Sequence, residues 1–130
     1  MILDASAFLA FLQDEPGADV VEAAFARTVS MSAVNWSEVL QKTRRQGHPP
    51  EDILEDIRRT GLIPDVLEIV SFDVIDAVTT AQIFTATRRN GLSFADRACL
   101  ALALRHGEPA LTADGAWAGL DLPVEVRQIR

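Results

Sequence analysis

The sequence contains a single cysteine, Cys99, set inside the helix-like apolar run Ala98 to Leu104. A disulfide within one chain is therefore excluded, and a thiolate-ligated zinc site lacks its usual ligands. An activated thiolate needs an open, electropositive setting, so Cys99 reads as core packing. No apolar run is longer than this one, which falls far short of the roughly 20 residues that span a bilayer. Asp4 stands where a secretory signal needs a basic region, and no small-residue cleavage pattern precedes Pro16, so a cytoplasmic protein is expected. Lysine is nearly missing, with Lys42 alone, and 12 basic against 19 acidic residues leave a net charge of −7. That balance excludes a nucleic-acid binder working through bulk positive field; any such partner must be held locally. Linkers, repeats and low-complexity tracts are lacking too, so residues 1–130 are expected to form one domain.

What is present is an ordinary globular composition, 48% apolar and 24% charged. Short β-like runs at Met1 to Leu3, Val29 to Ser32, Val66 to Phe72, Ala110 to Thr112 and Val124 to Ile129 alternate with segments of helical period. Phe8, Leu9 and Leu12 mark a first helix, and Val20, Val21, Ala24 and Phe25 a second. Trp36, Val39, Leu40 and Thr43 mark a third, and Ile53, Leu54 and Ile57 a fourth. A long helix from about Val74 to Arg89 and a very apolar one from about Phe94 to Arg105 follow. Strands separated by helices predict an α/β fold whose mostly parallel sheet is covered on both faces. Three helices end in Arg-Arg pairs followed two residues later by glycine, at Gly47, Gly61 and Gly91, and local helix-end chemistry accounts for these. His48 and His106 have no partner at metal-ligand spacing and read as turn residues.

Four acids stand apart. Asp4 follows the first strand, Glu38 follows the second by a few residues, Asp96 opens the apolar last helix and Asp114 follows the strand ending at Thr112. Each has a local role available: Asp4 as a helix cap, Glu38 in a capping box with Asn35, Asp96 in one with Ser93, Asp114 in an Asx turn before Gly115. Together they are placed to face one crevice, because side chains just beyond the carboxyl ends of parallel strands do so. Two like charges about 4 Å apart repel by roughly 4 kcal/mol at an effective dielectric of about 20. Such a cluster needs a cation, and Mg²⁺ or Mn²⁺ suits oxygen ligands.

The segments Met1-Ile-Leu-Asp4-Ala-Ser6-Ala7, Asn35-Trp-Ser-Glu38-Val39, Leu92-Ser93-Phe-Ala-Asp96-Arg97-Ala98 and Leu111-Thr112-Ala-Asp114 resemble, in order and spacing, the four acidic motifs of PIN-domain ribonucleases. The nearest likeness is to the VapC toxins of bacterial toxin–antitoxin pairs. The resemblance implies a three-layer α/β/α sandwich around a parallel sheet of about five strands, and a Mg²⁺- or Mn²⁺-dependent endoribonuclease. Asp4, Glu38, Asp96 and Asp114 would be its metal-binding acids, with Ser6, Thr112 and Asn35 in support. It also implies a homodimer silenced by a cognate VapB-type antitoxin, and no membrane. The sequence departs from the pattern at Gly115, where a larger, often basic residue is common.

Phosphodiester hydrolysis is the reaction such a site would run, since carboxylate-held cations can orient water and neutralise phosphate charge. No histidine is placed as a general acid. Arg97, Arg58 and Arg59 are candidate contacts for RNA phosphates. Two other readings stand beside this one. A doubly wound phosphatase or phosphotransfer domain needs a late lysine, whereas Lys42 lies mid-helix. A PIN-like module could use its cleft only to hold a protein.

Overall fold

The computed structural model describes residues 1–130. Five strands form one sheet: β1 (Ile2–Leu3), β2 (Val29–Ser32), β3 (Leu67–Val70), β4 (Ala110–Thr112) and β5 (Val126–Gln128). Their order is β3-β2-β1-β4-β5, and every neighbouring pair is parallel. Seven helices connect them: α1 (Ala5–Leu12), α2 (Ala18–Ala24), α3 (Ala33–Arg45), α4 (Pro50–Arg59), α5 (Val74–Gln82), α6 (Phe84–Arg88) and α7 (Phe94–His106). No helix is long and apolar enough to cross a membrane.

Side chains alternate across each strand, and the two cores divide on that period. Leu3 and Leu111 enter a cluster with Phe8, Val21, Met31, Val39 and Ile57, beneath α1 to α4. Ile2 and Ala110 point the other way, into a cluster with Leu100, Leu102 and Trp117 beneath α7. With both faces covered, β1, β2 and β4 are buried at every residue; β1 and the start of β4 are continuously apolar, while β2 alternates Val29 and Met31 with the buried serines Ser30 and Ser32. This is the expected three-layer α/β/α sandwich, with a sheet that is wholly parallel.

One expected element is broken. The helix predicted over Val74 to Arg89 ends at Gln82 and restarts at Phe84, around the buried Ile83. Threonines crowd the break: Thr79, Thr80 and Thr87 each donate a side-chain hydrogen bond to a carbonyl three or four residues back. Such back-bonding competes with the helical ladder.

The turn between α1 and α2 is locked to the far end of the chain. Gly17 has φ +93°, and a Cβ built there would lie 2.6 Å from the Ile129 carbonyl oxygen. Gly17→Ala is expected to lose about 2 kcal/mol or more of unfolding free energy in a urea titration, from positive φ and from the clash together. A loss of only a few tenths would mean that this approach is not tight.

Candidate active site

The strand order reverses at β1, with β2 and β3 built out on one side and β4 and β5 on the other. Such a switch point leaves a crevice beyond the carboxyl ends of the strands. Asp4 stands there, immediately after β1 and 2% exposed. The Ala7 N–H donates to its Oδ1 at 2.7 Å, capping α1, and Thr112 Oγ1 donates to its Oδ2 at 2.6 Å. Ser6 Oγ lies 2.8 Å from both carboxylate oxygens and accepts from the Ala113 N–H at 2.9 Å. Thr112 Oγ1 in turn accepts from the Asp114 N–H at 3.0 Å. Two hydroxyls therefore stitch the end of β1 to the end of β4. Burial pushes the Asp4 carboxyl up to about 6, against the pull of the Thr112, Ala7 and Ser6 hydrogen bonds, and the charge of Asp96 adds to the rise.

Asp96 lies in the first turn of α7, in the capping box read from the sequence. The Ser93 N–H donates to its Oδ2 at 2.7 Å, and the Asp96 N–H donates to Ser93 Oγ at 3.2 Å. Its carboxyl is also raised, first by burial; the Ser93 bonds oppose this, and repulsion from Glu38 and Asp114 reinforces it. Asp114 makes the expected turn, its Oδ1 accepting from the Ala116 N–H at 2.9 Å.

Glu38 arrives by a route the sequence did not predict. The cap of α3 is Ser32, whose Oγ accepts from the Val34 N–H at 3.2 Å, so Asn35 and Glu38 form no capping box. Asn35 is fully buried instead and donates Nδ2 to the Ala95 carbonyl at 3.0 Å, tying α3 to the start of α7. Its Oδ1 has no partner. Glu38, one turn further along, pairs with Lys42 Nζ at 3.0 Å. The sole lysine thus neutralises one of the four acids, an i,i+4 relation that was readable from the sequence.

The four carboxylates share one electrostatic neighbourhood centred on Asp96, which repels Asp4, Glu38 and Asp114. No three Asp, Glu, His or Cys side chains close into a ready-made metal cage. The donors are nonetheless hard oxygens of the kind that Mg²⁺ and Mn²⁺ take. Asp96 and Asp114 each spend one oxygen on a backbone N–H, Oδ2 and Oδ1 respectively, so Asp96 Oδ1 and Asp114 Oδ2 are open to a cation.

Of the three arginines considered as phosphate contacts, Arg97 directly follows Asp96 in α7, whereas Arg58 and Arg59 end α4. Arg97 donates Nη1 to the Leu92 carbonyl at 3.1 Å, and its guanidinium lies over the Phe84 ring at 5.1 Å. It braces the turn that enters α7. Arg58 and Arg59 end α4, which leads into Leu62, the acceptor for the Val66 and Leu67 N–H groups at the start of β3. Arg59 pairs with Asp56, one turn back on the exposed surface of α4. Different cations flank the acids: Lys42, Arg45 and Arg130 line a groove that begins at Ser6. On the other side of Glu38 opens a cleft of about 780 Å³ that holds Phe72 and Phe94 and no cationic side chain. The Cys99 thiol is buried, and burial holds it protonated well above the usual range, consistent with packing.

A family model described as the PIN domain matches residues 1–121. No curated protein sequence matches the chain. Among solved structures, FitAcB from Neisseria gonorrhoeae is 23% identical, with a TM-score of 0.71 over 98% of this chain and 96% of that one. DNA-bound VapBC from Salmonella typhimurium is 18% identical, with a TM-score of 0.71 over 99% and 97%. A toxin–antitoxin complex from Klebsiella pneumoniae is 17% identical, with a TM-score of 0.68 over 95% and 98%.

Proposed function

The chain belongs to the PIN-domain family, and from that membership we propose that it is a Mg²⁺- or Mn²⁺-dependent endoribonuclease of VapC type. One observation carries the reading: at the crevice where the strand order reverses, the Thr112 and Ser6 hydroxyls orient the Asp4 carboxylate, while Asp96 and Asp114 each give one oxygen to a backbone N–H and keep the other. Burial first, and neighbouring carboxylates after it, raise the Asp4 and Asp96 carboxyls, a cost that a divalent cation would offset. Asp4, Asp96, Asp114 and Glu38 would hold it, with Ser6 and Thr112 fixing the orientation of Asp4 and Asn35 holding α3 against α7. A bound divalent ion supplies Lewis acidity and charge neutralisation toward a phosphodiester. The residues themselves do the positioning. The Thr112 and Ser6 hydroxyls fix the Asp4 carboxylate, the Ser93 N–H fixes that of Asp96, and Lys42 holds Glu38 until a stronger cation competes for it.

Two partners belong to the same proposal. One structural neighbour is a toxin–antitoxin complex and another is DNA-bound VapBC, which supports an antitoxin partner that would mask the acids. Val74, Ile75 and Val78 stand 80, 63 and 52% exposed on one face of α5, an apolar stripe suited to a second copy.

The test is to titrate purified protein, free of any antitoxin, with Mg²⁺ and Mn²⁺ while following its thermal midpoint and the cutting of a mixed RNA. At a hundredfold excess over Kd, binding to the folded state adds about 2.7 kcal/mol. The expected result is a midpoint several degrees higher together with metal-dependent cleavage. The open geometry of the acids and the Lys42–Glu38 pair favour a second reading, a non-catalytic module. A midpoint unmoved by millimolar metal, with intact RNA, would decide for that module.

A further inference from the structure

We propose that the cleft on the far side of Glu38 is a nucleobase subsite, which takes an unpaired base of the RNA strand beside the phosphate at the acids. The proposal rests on the RNA-cleaving reading above. The cleft is contiguous with the acids through Glu38, which forms part of its wall. Phe94, 50% exposed, stands between this cleft and the pocket of Thr80 and Arg97, and its ring meets that of Phe72 edge to face at 5.5 Å between centroids. An aromatic held by a neighbouring ring while half of it stays in water offers a π-face at low entropic cost. Exposed Ser37, Gln41 and Ser71 add hydroxyl and amide groups, the donors and acceptors that read base edges.

Charge separates this cleft from a backbone track. No lysine or arginine lines it, and Arg97, in the adjoining pocket across Phe94, is drawn over the Phe84 ring; Lys42, Arg45 and Arg130 line the groove at Ser6, where Glu15 pairs with Arg130. Phosphates follow cations and bases follow aromatic faces. A strand crossing the acids would thus lay its phosphates toward Ser6 and one base against Phe94. Because a base must leave its stack to enter, the site selects single strands over duplex.

The experiment uses the full chain carrying Asp96→Asn, so that the strand stays uncut. Fluorescence anisotropy in Mg²⁺ compares short labelled adenylate, cytidylate and uridylate homopolymers with an abasic ribose–phosphate chain of the same length. Adding Phe94→Ala should weaken binding of the base-bearing strands by roughly tenfold and leave the abasic chain unchanged. Phe94→Trp should restore the loss, which guards against a merely unfolded variant. Equal losses on both kinds of strand, or none on either, overturn the subsite. So does unchanged RNA affinity with a shifted monomer–dimer balance, which would mean that a second copy covers the cleft. A parent protein that cuts no RNA defeats the nuclease reading, while base-dependent binding in the uncut variant judges the cleft separately.

Discussion

Asp96→Asn is expected to lower RNA cleavage by roughly 10³-fold or more while the metal-free protein melts no earlier than its parent. The two halves of this expectation come from different oxygens. Oδ2 accepts from the Ser93 N–H, and an asparagine carbonyl can take over that bond, so the start of α7 keeps its cap. What disappears is the charge. Asp96 repels Asp4, Glu38 and Asp114, so neutralising it relieves all three while removing the central donor for a cation. A gel assay on labelled RNA and a calorimetric melt read the two effects separately. Parent-level cleavage by the variant would remove Asp96 from the site. A midpoint several degrees lower would mark the carboxylate as a capping group first.

The second large effect concerns Asp4 and pH. Burial raises its carboxyl from the ordinary 3.8 to about 6, so the folded chain binds protons more tightly than the unfolded one. For an acid shifted upward, the folded state is favoured where the group is protonated. Its contribution is present below about pH 4 and is lost as the pH rises through about 6. At about 1.4 kcal/mol for each tenfold change in proton affinity, the cost at neutral pH is about 3 kcal/mol. Asp4→Asn removes that cost and gives back about 1 kcal/mol at the Thr112 hydrogen bond. Without divalent metal at pH 8 the variant should therefore melt roughly 5 °C or more above its parent. As the pH falls the two curves should cross, and below about pH 4 the variant should melt slightly below its parent, short by the Thr112 bond alone. Comparing variant with parent isolates Asp4 from Asp73, Glu108 and Glu125, whose carboxyls are lowered and act with the opposite sign. Added Mg²⁺ should stabilise the parent and leave the variant unmoved. A variant that melts lower at every pH would show that the cap and the Thr112 bond outweigh the burial of charge.

Features set by nearest neighbours in the chain were legible from the sequence. The caps of α1 and α7 follow from Asp4 and from Ser93 with Asp96, because each side chain bonds to a backbone N–H within three residues. The inner strands were legible because a sheet covered on both faces buries them throughout; the edge strands β3 and β5 carry polar residues and are shorter than the β-like stretches around them. What depends on two distant segments meeting was not. Asn35 reads locally as half of a capping box, yet it is spent on Ala95, 60 residues away. Arg59 reads as a free phosphate contact, yet in the fold it is paired with Asp56 of its own helix. Arg130 and Lys42 meet in one groove only once the sheet has formed. The Phe94 cleft gave no periodic signal, since Phe72 and Phe94 lie on different elements.

The stitch between Thr112 and Asp4 joins residues 108 positions apart, and Ser6 bridges a gap almost as wide. Asp4 and Ser6 therefore lack the groups that orient them until β4 has been made and has paired beside β1. On the proposed reading, cleavage waits for that late pairing, and an inhibitor that reaches the protein as it completes folding would meet the site as it is first assembled.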